Sequence, residues 1–195
     1  MQLSRLASSL LVAAGVLVGA GLAQAADPEN TMIIKLKDGE VVIALRPDLA
    51  PKHIEQIKAL VREGAYDNVA FHRVIDGFMA QTGDVQFGDM EDGYSPERAG
   101  TGGSDRPNLP AEFSQENFVR GTVGMARAQD PNSANSQFFI MFAPAPSLDG
   151  QYTIVGEVES GMEFVDNIKK GNDAMNGAVQ NPDRMIDVSI AADSQ

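Results

Sequence analysis

Beyond the first two dozen residues, hydrophobic positions fall mostly into short runs with a period of two. Met32-Ile33-Ile34-Lys35-Leu36 and Val41-Val42-Ile43-Ala44-Leu45 are β-rich. Lys37-Asp38-Gly39-Glu40 joins them, and its Asp-Gly pair favours a tight hairpin. Further strand-like runs cover 69–75, 78–83, 122–127, 137–142, 153–158 and 185–191, making eight predicted strands. Two stretches carry helical spacing instead. Pro51 opens the first, with Ile54, Ile57, Leu60 and Val61 on one face and Gly64 placed to end it. The second runs through Met162, Val165 and Ile168 and stops at Gly171. Residues 88–110, rich in Gly, Asp, Ser and Pro, predict a long loop within the domain. The pattern as a whole predicts a mainly β protein, a closed eight-stranded antiparallel barrel capped by two α-helices, with a sandwich as the pattern-level alternative.

The start of the chain reads differently. Arg5 supplies a positive n-region, small and apolar residues run unbroken from position 10 to 23, and Ala23-Gln24-Ala25 has the small-x-small form of a cleavage site. That run is shorter than the roughly 18 apolar residues a spanning helix needs, and glycines interrupt it. Residues 1–25 are therefore expected to be a cleavable signal peptide and residues 26–195 a single domain. The expected compartment is the periplasm, with secretion as the variant, and no stable membrane insertion after cleavage.

Composition narrows the partners. Asp plus Glu number 27 against 15 Lys plus Arg, a net charge of −12, which disfavours nucleic acid because its binding depends on phosphate neutralisation. Cys is absent, so thiol nucleophiles, disulfides and zinc–thiolate sites are excluded. His53 and His72 are the two histidines, too few for a His-rich metal site. His53 is expected on the surface of the first helix.

Two segments carry candidate chemistry. In Phe71-His72-Arg73-Val74-Ile75-Asp76-Gly77-Phe78-Met79-Ala80-Gln81-Thr82-Gly83-Asp84, the Asp-Gly pair marks a second hairpin. Alternation places Phe71, Arg73 and Ile75 on one face and His72 and Val74 on the other. Met79 and Gln81 share a face on the return strand, opposite Phe78 and Ala80, and twist or a bulge near the turn would bring Phe78 back toward the Arg73 side. Taken alone, Arg73 reads as an edge arginine paired with a carboxylate. The second segment holds Gly121-Thr122-Val123-Gly124-Met125-Ala126-Arg127 and then Gln137-Phe138-Phe139-Ile140. Phe138 and Phe139 must point to opposite faces of one strand, so one can join the core while the other lines a pocket.

Together these segments closely resemble the cyclophilin family of peptidyl-prolyl cis-trans isomerases. The resemblance runs from about Thr31 to Asp193. It rests on the two hairpins, Pro51-Lys52, Tyr66-Asp67, Gly100-Thr101-Gly102-Gly103, Gly121 to Ala126, Ser136 to Ile140, and Leu148-Asp149-Gly150 in that order. It implies a groove for X-Pro segments. By matching position, Arg73 is the catalytic arginine, and Phe78, Met79, Phe139 and Leu148 form the proline pocket. Gln81, Gln137 and the backbone of Arg127 orient the substrate amide, Ala126 lines the groove, and the 100–103 loop borders a neighbouring subsite. Three positions depart from the better-known eukaryotic pattern: Arg127 stands where Asn is usual, Tyr152 where His is common, and Ser147 where a Trp often precedes Leu148. The missing Trp implies weak cyclosporin binding.

These residue types suit the reaction. Rotation about a peptide bond faces a barrier of about 18–20 kcal/mol, set by resonance. No bond is cleaved, so the chemistry calls for no nucleophile, metal or cofactor. The twisted state frees the proline nitrogen lone pair, which a fixed cationic donor stabilises more than it stabilises the planar amide. The expected partners are proline-containing peptides and unfolded exported proteins, acted on by a monomer. A noncatalytic peptide-binding or chaperone module using the same groove is the second reading. A hydrolase is disfavoured by the absence of Gly-x-Ser-x-Gly, and a phosphate loop by the missing Lys-Ser/Thr.

Overall fold

The structure is a computed structural model and describes residues 27–194. The predicted signal peptide therefore lies outside the described residues. Among the described residues the chain forms eight strands and two α-helices. The elements are β1 (Thr31–Lys35), β2 (Glu40–Leu45), α1 (Pro51–Arg62), β3 (Arg73–Ile75), β4 (Met79–Thr82), β5 (Thr122–Met125), β6 (Phe138–Met141), β7 (Ile154–Ser160), α2 (Met162–Asp166) and β8 (Asp187–Ile190). One antiparallel sheet takes all eight strands, in the order β3-β4-β6-β5-β7-β2-β1-β8.

The local signals act as expected. Lys35 pairs with Glu40 across the first hairpin, and Leu36 N–H donates to the Gly39 carbonyl at 2.8 Å. Period-two burial follows in β2, where Val41, Ile43 and Leu45 face inward. In α1 the predicted stripe of Ile54, Ile57, Leu60 and Val61 is buried. Gly64, at φ +68°, ends the helix, and Ala65 N–H reaches back to the Leu60 carbonyl at 3.0 Å.

The elements are shorter than predicted, for identifiable reasons. The 69–75 run joins the ladder only from Arg73, because Phe71 N–H donates to Asp183 O and the Thr82 hydroxyl takes the Ala70 carbonyl. The second helix stops at Asp166 rather than Gly171. Downstream, Lys169 N–H is drawn to the Asp183 carboxylate and Gly171 N–H to the Val74 carbonyl, which bends the chain away. Nor does the sheet close into the predicted barrel. Its end strands β3 and β8 share no ladder, and their flanks meet at the single bridge Ala70–Arg184. The result is a curled, partly open sheet.

β5 and β6 are buried on both faces. Val123, Met125, Phe138 and Ile140 enter the main core with the α1 stripe. Phe139 and Met141 enter a second cluster with Met79, Phe118 and Ile154. The sheet thus separates a structural core from an apolar floor on its other side.

Candidate active site

The β3–β4 hairpin sets Arg73 directly opposite Gln81. Its connection is short: Phe78 N–H donates to Ile75 O at 3.1 Å, closing a β-turn, and Gly77 sits at φ +67°, the positive-φ third position that a type II turn requires. Phe78 is therefore a loop residue, free of strand alternation, and joins Arg73, Met79 and Gln81 around one hollow. This hollow has a volume of about 180 Å³. Its apolar lining is Phe78, Met79, Ala126, Phe139, Leu148 and Tyr152, and its polar rim is Arg73, Gln81 and Arg127. Met79 and Phe139, 2% and 5% exposed, form the floor. Phe118 stacks beneath Phe139 with centroids 5.8 Å apart, and Tyr152 meets it edge-on.

A line of side chains orders the rim. Arg73 Nη1 donates to Gln81 Oε1 at 3.1 Å, Gln81 Nε2 to Gln137 Oε1 at 3.0 Å, and Gln137 Nε2 to the Gly102 carbonyl at 2.8 Å. Each amide is oriented by the next, so Gln81 presents a defined donor and acceptor edge. Gln137 does not line the first hollow. It belongs to an adjoining one of about 480 Å³, walled by residues 100–105 and sharing Gln81, Ala126 and Arg127 with the first.

Arg73 is half-buried, and burial pulls its pKa below the ordinary arginine value, though arginine stays protonated at neutral pH. Among the described residues Arg73 has no carboxylate partner of the kind an isolated edge arginine would have. Arg73 instead bonds neutral amides, Gln81 on one side and Asn176 on the other, where Nε meets the Asn176 carbonyl and Nη2 its Oδ1, both at 3.0 Å. Its charge is oriented without being neutralised.

The Arg127 side chain is also fixed. It lies over the Tyr152 ring, 4.4 Å from the centroid, and donates to the carbonyls of Ala128, Gln129 and Gln151. A second cation therefore borders the groove, where the hairpin alone predicted one.

The 88–110 loop is held by Asp84. This fully buried carboxylate accepts from the N–H groups of Gln86, Phe87, Gly100 and Gly102, at 2.7 to 3.1 Å. The glycines are steric necessities: a Cβ on Gly102 would lie 2.4 Å from Asp84 Oδ1, and one on Gly100 2.9 Å from the His72 ring.

Both histidines lie away from the rim. His72 faces the interior, as alternation predicts, and burial pushes its pKa down to about 4, so it is neutral. His53 corrects the surface assignment: it is fully buried. Its Nδ1 bonds Glu112 at 2.7 Å, and Glu112 also accepts the N–H groups of Lys52 and His53 at the start of α1. Burial holds the His53 pKa low, opposed in part by Glu112.

The structure brings nine of the ten predicted residues around one hollow, with Gln137 one hydrogen bond behind. Three residues were not singled out as candidates. Phe118 and Asp84 support the floor and the loop. Asn176 carried one faint signal, its Asn-Gly turn pair, in a stretch without periodicity.

Residues 31–190 match the family model described as cyclophilin type peptidyl-prolyl cis-trans isomerase. The chain belongs to the cyclophilin-type peptidyl-prolyl cis-trans isomerases. It is thus an enzyme of X-Pro isomerisation. A probable peptidyl-prolyl cis-trans isomerase of Brucella suis biovar 1 is 65% identical over 196 residues, covering 99% of this cyclophilin and all of the relative. A crystal structure of a cyclophilin from Hirschia baltica aligns with a TM-score of 0.71 at 27% identity, over 86% of this chain and 76% of that one. A Cryptosporidium parvum cyclophilin, crystallised in the presence of the dipeptide Ala-Pro, aligns with a TM-score of 0.68 at 27% identity, over 82% of this chain and 98% of that one.

Proposed function

We propose that this cyclophilin isomerises X-Pro bonds in unfolded exported proteins, as a monomer in the periplasm, after loss of residues 1–25. Export is supported by the n-region, apolar run and Ala23-Gln24-Ala25 pattern. Peptide binding is supported by the Ala-Pro dipeptide present with the Cryptosporidium parvum relative.

The observation that carries the catalytic assignment is an uncompensated guanidinium fixed at the rim of an apolar, ring-sized hollow. The proline ring enters between Phe78, Met79, Phe139 and Leu148, where burial holds it still. Gln81 and the Arg127 backbone bind the chain on either side of the rotating amide bond, and the carbonyl before proline swings. As the amide twists, resonance fails and the nitrogen becomes basic. Arg73 then donates toward that nitrogen, an interaction weak in the planar ground state and strong in the twisted one. Tyr152 and Ala126 complete the wall, and Gln137 holds Gln81 in register.

Arg73→Ala should fold normally by circular dichroism and lose at least about tenfold in kcat/KM on an Ala-Pro-Phe peptide, roughly 1.4 kcal/mol of transition-state stabilisation. Unchanged turnover in a folded variant removes Arg73 from the mechanism. For export, the N-terminus of protein recovered from the periplasmic fraction should be Ala26. A cytoplasmic, full-length product would refute that part.

A further inference from the structure

Asn176 stands 103 positions from Arg73 in the chain, on a loop that no strand or helix pattern assigned. Three features tie that loop to the guanidinium. First, it covers the outer edge of β3, the end strand of the sheet. Gly171 N–H donates to the Val74 carbonyl and Val74 N–H to the Gly177 carbonyl, both at 2.8 Å, and Val179 N–H to the His72 carbonyl at 3.1 Å. Second, the fit is at backbone contact. A Cβ on Gly177 would lie 2.5 Å from Ile75 Cγ1, and one on Gly171 would lie 1.9 Å from the Gly177 carbonyl oxygen. Third, Asn176 itself is left-handed, at φ +54°, a region that Asn enters more readily than other non-glycine residues. That turn aims both its carbonyl oxygen and its Oδ1 at Arg73, each at 3.0 Å.

We propose that Asn176 is a positioning residue for the isomerisation: it clamps the Nε and Nη2 edge of Arg73 so that the guanidinium plane stays fixed toward the proline pocket. The proposal rests on the reading of Arg73 as the catalytic group. Gln81 alone fixes one point of the guanidinium and leaves its plane free to turn about that contact. A two-point contact on the opposite edge removes that rotation, as bidentate partners do. A carboxylate in the same place would hold the plane equally well but would offset the charge on which the twisted amide depends. Both Asn176 acceptors are neutral, so orientation is gained with the charge intact.

The test compares wild type, Asn176→Gly, Arg73→Ala and the double variant on one Ala-Pro peptide. Asn176→Gly keeps the left-handed turn and the backbone acceptor and removes Oδ1 alone. It should lower kcat about fivefold with KM within about twofold. In the Arg73→Ala background the same change should cost nothing further, because the two residues act as one unit. The Arg73 Nη2 proton resonance, whose acceptor is Oδ1, should exchange with solvent faster in Asn176→Gly than in wild type and stay protected in Asn176→Asp, which keeps both acceptors, while Nε–H, bonded to the retained backbone carbonyl, changes little. An unchanged kcat in Asn176→Gly, a loss that adds in full to that of Arg73→Ala, or an unprotected resonance in Asn176→Asp overturns the proposal while Arg73 keeps its role. An Arg73→Ala variant with wild-type kcat removes the catalytic reading itself, and the proposal with it.

Discussion

Among the described residues, the other arginines show what sets Arg73 apart. Arg98 lies over the Phe87 ring, 3.5 Å from its centroid. Arg46, Arg62, Arg106, Arg120 and Arg184 pair with carboxylates, and Arg127 caps three carbonyls against a tyrosine ring. Arg73 meets amides, which orient it and leave its charge whole. Neither it nor Gln81 titrates near neutrality, and His72, facing inward, is already neutral because burial has pushed it to about 4. Catalytic efficiency should therefore be level between about pH 6 and 9, measured at constant ionic strength, and Asp, Glu or His chemistry in the rim would show as a limb. A loss of activity centred between about pH 6 and 7 and abolished by His72→Gln would make His72 a participant.

Two elements carry more than their own sequence. Ala50, at the N-cap of α1, has no side chain able to bond the helix's open N–H groups. Glu112, from a loop about sixty residues away, supplies the acceptor and takes the His53 ring as well. Burial pushes Glu112 up, but these hydrogen bonds outweigh it and hold its pKa below the usual glutamate value. Glu112→Ala removes a remote cap and leaves a buried imidazole donor unpaired, and should cost about 2 kcal/mol in denaturant unfolding. An effect below about 0.5 kcal/mol would mean the loop relaxes to let water take its place. β5 makes a different demand. A Cβ on Gly124 would lie 2.6 Å from both Phe118 and Phe139. Gly124→Ala should push Phe139 toward the hollow and raise KM severalfold with a smaller change in kcat, because the floor binds ground and transition states alike. Equal losses in kcat and kcat/KM would instead make Phe139 a transition-state contact.

For the molecule as a whole, acid is the vulnerable direction. Unfolded His72 takes its proton near pH 6.5, whereas in the fold it does so only near 4. Between those values the unfolded chain binds more protons, so stability is complete above about pH 6.5 and falls as pH drops toward 4. His53, also lowered, and Glu112, held as a carboxylate, push the same way. Unfolding free energy should drop by about 2 kcal/mol from pH 7 to 4.5 through His72 alone. His72→Gln should remove that portion of the slope. An equal slope in the variant would assign the loss to the carboxylates.

What the sequence determined by itself is local. Asp76-Gly77 set the hairpin register, and that register alone put Arg73 against Gln81. Adjacent Phe138 and Phe139 had to divide between two faces, and the α1 stripe had to turn inward. These follow from turn chemistry and from periods of 2 and 3.6, which act within a few residues. The family resemblance, carried by the order of many short motifs, named the groove residues that period alone left ambiguous. Tertiary structure decided the rest. Asn176 reaches Arg73, Glu112 reaches His53 and Asp84 gathers the 100–102 backbone, across separations that leave no periodic trace. The same holds for the incomplete closure of the sheet and the early end of α2, where distant carbonyls and carboxylates took the donors that a longer strand or helix would have used. Such partners are selected by packing of the whole chain, because a buried donor bonds whatever acceptor the fold delivers, wherever it stands in the sequence.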